Sequence, residues 1–332
     1  MKVIDLDIKE PNKELAKLNE VLSKQEKELE QFKNSIVAVF LHDEAKQLKK
    51  EIAWLLLNCG KYKKALDVYG AMSWKTEGET KYLGTGIALY KTGKISEAIK
   101  LFAKGLKRFP ESFALLVAAG NIYHEMDSLE MSLEYFKKAL SLKPEDRSIV
   151  FSKANALYGL GFYEEAFEIY QKLEKKYPDE SLFIRQVGYC HLQMGYPEDA
   201  SEHFKSLINK GFASSEDYNG LYWSYYDMGL KDDAIEIAKE GIRKFPKDDP
   251  VLYSNLGAAY FEQGWLNGAR GIVLKGLRKF PEDEGLKELL ESIEDDIDNP
   301  DDDDKKPPIK EILIISTLIN KLRNKRIFRP KK

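Results

Sequence analysis

Two cysteines and four histidines in 332 residues leave little room for thiol or metal chemistry. Cys59 and Cys190 stand far apart, each in an apolar helical segment, which argues against a disulfide framework or a cysteine zinc site and fits a reducing compartment. None of His42, His124, His191 and His203 lies at a metal-ligand spacing from another histidine or a cysteine. His191 directly follows Cys190, but neighbours on a helix point in different directions and do not form a nucleophile and base pair. A phosphate-binding loop, a nucleophile elbow and a paired-acid motif are also missing. No catalytic residue, metal site or cofactor is expected, and the chain reads as a non-enzyme.

No apolar run approaches the roughly 20 residues that a membrane helix needs, and the opening MKVIDLDIKE has acids where a signal peptide would be apolar. A soluble, cytoplasmic protein is the expectation. Charge of one sign is lacking too: 32% of residues are charged, yet they sum to −3, which gives no reason to expect nucleic-acid binding by the whole chain.

What the chain does have is repetition. Small residues at Ala65, Ala98, Ser132, Ala166, Ala200, Ala234 and Ala269 follow one another at steps of 33 to 35. Five residues before each comes Gly60, Gly93, Asp127, Gly161, Gly195, Gly229 or Gly264, where a helix can end in the left-handed region. Earlier still lies Ala53, Gly86, Gly120, Ala154, Gly188, Tyr222 or Gly257, mostly small where two helices cross. Tyr69, Phe102, Phe136, Tyr170 and Phe204 fill the second helix, and prolines at 110, 144, 178, 246 and 281 close five of the seven units. The sixth unit departs from the pattern, with Tyr222 at the small site and Ala238 at the aromatic one, which predicts irregular packing over 205–245. A helix pair this short cannot bury its own apolar faces and needs copies of itself as neighbours.

These markers resemble the tetratricopeptide repeat, seven units of which would occupy residues 46–281. The resemblance implies an all-α, right-handed superhelical α-solenoid whose first helices line a groove that receives a peptide. Mapped by position, the groove would present Asn121, His124, Asn155, Tyr158, Arg185, Tyr189, Asn219, Trp223 and Tyr226. Amides can pair with any peptide bond, and aromatics give contact area at low entropy cost. The alternative is that such aromatics fill gaps between adjacent first helices. Replacing Asn121 and Asn155 by alanine is expected to weaken ligand capture and leave the fold intact. The carboxylate clamp known in the family is not expected, because Val117 stands where its lysine belongs and Leu182 and Gln186 at its basic pair. The implied ligand is an internal peptide or helix of a partner protein, and the implied role a scaffold or adaptor.

Flanking segments complete the plan. Residues 1–45 carry a heptad stripe at Leu15, Leu18, Leu22, Leu29, Phe32, Ile36 and Val39, with Gln25 in its one polar slot, suited either to a homodimer through residues 12–39 or to packing on the first repeat. Residues 282–298 read as an acidic capping helix and 299–308 as an acidic, disordered linker. Residues 309–332 set Ile312, Ile315, Leu318, Ile319 and Leu322 on one helical stripe, followed by seven basic residues. Three destinations stay open for this tail: the chain's own solenoid, where it would inhibit the groove or lie on the acidic cap; a partner protein; or a nucleic acid or anionic membrane. A second functional reading makes the heptad and tail the contacts of an assembly module, with the array as spacer.

Overall fold

The computed structural model describes residues 11–31, 36–74 and 78–298, with side chains at 15–24, 27, 44–74 and 78–298. These residues are all helix and turn, without a strand. The described residues fall into two compact units, one within Met1–Met126 and Met131–Ile149, the other within Asp127–Glu130 and Val150–Lys332.

The first unit opens with α1 (Pro11–Gln31) and α2 (Ile36–Asn58), followed by α3 (Tyr62–Ala71), α4 (Gly78–Lys91), α5 (Ile95–Arg108), α6 (Phe113–Glu125) and most of α7 (Leu129–Leu142). The heptad stripe runs through two helices, since α1 ends at Gln31 and α2 begins at Ile36. Leu15 is buried in a cluster with Leu48, Ile52 and Tyr69, and Leu18 and Leu22 pack against the same cluster. That part of the stripe is covered by the chain's own helices and is not open to a second copy. The side chains of Gln25, Leu29, Phe32, Ile36 and Val39 lie outside the described residues. Buried Lys81 sends its ammonium to the carbonyls of Gly70 and Met72 at 2.9 and 2.6 Å, capping the end of α3 in the first repeat, one of the two that lack a closing proline.

The second unit contains most of α8 (Arg147–Gly159), then α9 (Tyr163–Lys176), α10 (Ser181–Gln193), α11 (Pro197–Asn209), α12 (Ser215–Asp227), α13 (Lys231–Lys244), α14 (Val251–Glu262), α15 (Leu266–Leu277) and α16 (Glu284–Asp298). The first helices α10, α12 and α14 each pack on their own second helix and on the next helix but one, as α10 does on α11 and α12. On α16, Leu286, Leu289 and Ile293 are buried and close the end of this stack, while its acids face outward. The linker and tail read at 299–308 and 309–332 lie outside the described residues. No helix among the described residues is long and apolar enough to cross a membrane.

The turn markers behave as their chemistry demands. All seven have positive φ, from 61° at Asp127 to 85° at Gly161. Close helix crossing explains the small site: a Cβ on Gly86 would fall 2.5 Å from the Phe102 ring, and one on Gly120 would fall 2.6 Å from Phe136. The sixth unit reverses this pair. Tyr222 fills the crossing and Ala238 leaves room for it, both fully buried in one cluster with Tyr218 and Leu256. Total side-chain volume is roughly kept, so α12 and α13 remain regular helices where irregular packing was expected.

Candidate functional site

The expected groove residues all lie on first helices, and most are already engaged. In the first unit, Asn121 is exposed on α6, with His124 half-buried one turn later. Nearby, Tyr90 of α4 donates to Glu125 at 2.8 Å, and Lys91 lies 3.2 Å from the same carboxylate. This is a bond between consecutive first helices.

The second unit makes several more of these bonds. Asn155 is buried, and its Oδ1 accepts from the Tyr170 hydroxyl at 2.6 Å, so it serves the helix pair α8–α9. Replacing it by alanine would leave that hydroxyl without its partner and cost stability, contrary to the expectation of an intact fold. Tyr158 packs edge-on against Tyr163, and burial raises its hydroxyl pKa. Arg185 makes a two-pronged bond to Asp217 at 2.7 and 2.8 Å. Burial disfavours its charge, but the hydrogen bonds and charge of Asp217 outweigh that and hold the guanidinium pKa above its usual value. Asp217 also accepts from the Ser214 backbone at 2.7 Å, tying the ion pair to the start of α12. Tyr189 donates to the Glu216 carbonyl at 2.8 Å, and burial raises its pKa.

Farther along, the Asn255 amide donates to Asn219 Oδ1 at 2.7 Å, and the Tyr226 hydroxyl donates to Glu262 at 2.6 Å. Lys231 reaches the same carboxylate at 3.3 Å. Trp223 stands half-buried between Tyr222 and Tyr226, with ring centroids 5.3 and 5.5 Å away. Asn219, Trp223 and Tyr226 are spaced i, i+4, i+7 and share one face of α12. This face offers amide and ring surfaces held in place by the next helix. Asp217 and Asn255 were missed in the sequence: neither falls at a position mapped to the groove, and repeat register aligns Ser254, not Asn255, with Asn219.

Cys190 is buried and its thiol is pushed up to about 12 by burial, so it stays protonated near neutral pH. The His191 and His203 rings lie 5.3 Å apart in a tilted arrangement, and no group of three potential metal ligands occurs among the described residues.

Residues 83–147 and 118–181 each match the tetratricopeptide repeat family. Residues 83–181 therefore carry repeats of this type, and the described residues have the all-α solenoid fold of stacked helix pairs seen in tetratricopeptide repeat structures. Among solved structures, it is similar to a tetratricopeptide repeat protein from Parabacteroides merdae ATCC 43184, at 17% identity and TM-score 0.61, over 75% of this chain and 98% of that one. It is also similar to a chain of the APC/C hetero-tetramer Cut9–Hcn1, at 16% identity and TM-score 0.54, over 83% of this chain and 52% of that one, about half its length. At these identities the likeness is one of fold. No curated protein matches the chain.

Proposed function

We propose that the protein is a non-enzymatic interaction scaffold that binds an internal peptide or helix of a partner protein on the faces of its first helices. The observation that carries this reading is the preset surface of α12, where the Asn219–Asn255 and Tyr226–Glu262 bonds flank half-buried Trp223. Side chains already held by a neighbouring helix lose little entropy on binding, and an aromatic among them is a natural anchor. Within the second unit, Tyr158, Arg185 and Tyr189 on α8 and α10 extend the same chemistry, with Arg185 and Tyr189 acting through the rigidity they give; in the first unit, Asn121 and His124 offer similar groups on α6. A cytoplasmic location agrees with the two free cysteines.

Selection of displayed random peptides on the intact protein tests this proposal. Enriched peptides are expected to bind a Trp223→Ala variant at least tenfold more weakly, with its melting temperature shifted by only a few degrees. No enrichment, or equal binding to the variant, would overturn it.

A further inference from the structure

The second unit carries an exposed apolar ridge away from the first-helix faces. Phe162, Tyr196, Leu230 and Trp265 each follow the left-handed turn glycine of their repeat and cap the start of the second helix. Their exposures are 49, 54, 44 and 56%, high for large apolar side chains at four successive equivalent positions. The first three repeats have Lys61, Lys94 and Ser128 at that position, so the ridge is not something the fold requires. Neighbouring first helices touch, through the Phe151–Phe183 rings and along α10, α12 and α14, which puts the four caps in a row on one edge.

Acids run beside the ridge. Glu164 and Glu165, Glu198 and Asp199, and Asp232 and Asp233 occupy the first turns that follow its first three members, and all six are exposed. An apolar row with an acidic border suits a basic amphipathic helix and repels an anionic membrane.

The same chain contains a segment with the sequence pattern of one, and the described helices end in the right place for it. Helix α16 runs antiparallel to α15: Arg270 bonds Glu294 at 3.1 Å, and Leu286 packs at Gly276. Its end at Asp298 therefore returns to the edge that holds Trp265. From there the linker 299–308 can extend to at most roughly 33 Å. The ridge spans three repeat steps of about 10 Å, and residues 309–332 as a helix would measure roughly 36 Å. Ile312, Ile315, Leu318, Ile319 and Leu322 supply the apolar stripe, and Lys321, Arg323, Lys325, Arg326 and Arg329 the opposite charge.

We propose that this edge of the second unit is the docking surface for the chain's own segment 309–332. Docking there leaves the first-helix faces uncovered, so the tail accompanies partner binding instead of blocking it. The proposal does not depend on the peptide-binding reading, because it concerns a different surface.

Zero-length carbodiimide cross-linking of the full-length protein, with isotope-labelled and unlabelled copies mixed, tests it. Links from Lys321, Lys325 or Lys331 to the six ridge-side acids are expected, within single copies. Their yield should fall at least fivefold in Ile315→Ser/Leu318→Ser/Leu322→Ser, which alters nothing in the helical array, and likewise in Tyr196→Ser/Leu230→Ser. Absence of these links, links confined to α16 acids or to α12 and α14, a majority of links between copies, or yields unmoved by the tail substitutions would each overturn the proposal.

Discussion

Ser132 stands where the other six repeats have alanine, and it is fully buried with its hydroxyl lacking a hydrogen-bond partner among the described residues. Removing an unsatisfied buried hydroxyl relieves a desolvation cost, so Ser132→Ala should raise unfolding free energy by about 1 kcal/mol in urea denaturation. His191 calls for a pH experiment. Burial and then the nearby His203 lower its pKa, while Asp199 opposes them. The unfolded chain therefore takes up this proton at higher pH than the folded one, and the contribution of neutral His191 is present above the unfolded value and lost as pH falls from there through the lower folded value. His191→Tyr, which places there the tyrosine found at the equivalent positions Tyr123, Tyr225 and Tyr260, should reduce the loss of stability between pH 7.5 and 5.5, measured by denaturation at both. At this scale the sequence was legible wherever backbone conformation chose the residue, as at the seven turns with positive φ. Asn155 was misread because position alone says which face a side chain leaves from, whereas the Tyr170 hydroxyl decided where its amide would be used.

Between helices, the interactions that sequence patterns least reveal are those joining one first helix to the next. The Arg185–Asp217 pair has Asp217 fully buried, so Arg185→Ala strands a carboxylate and should cost about 3 kcal/mol by chemical denaturation. The exchanged sizes of Tyr222 and Ala238 make a sharper test. Tyr222→Gly opens a cavity and Ala238→Phe overfills the same cluster, each destabilising by about 2–4 kcal/mol. The double substitution recreates the glycine and phenylalanine pairing seen at Gly120 and Phe136, and its cost should fall short of the sum by about 2 kcal/mol. Two departures in one repeat look like two defects along the sequence, and only packing shows that they offset one another.

Across the whole molecule, the repeat pattern revealed the class of fold because each unit needs its neighbours, and that need leaves a period of about 34 residues in the chain. The proposed binding surface was less legible. Residues assigned to a groove also hold consecutive first helices together, and Arg185, Tyr189, Asn219 and Tyr226 do both only if a bound segment lies over them. Photo-cross-linking settles where that segment lies: a peptide selected on the intact protein, carrying a benzophenone, is irradiated in complex and the labelled residues are mapped. Labels on α12 between Asn219 and Tyr226, and on α14 between Asn255 and Glu262, are predicted. Labels confined to the second helices or to the turn edge would contradict the account.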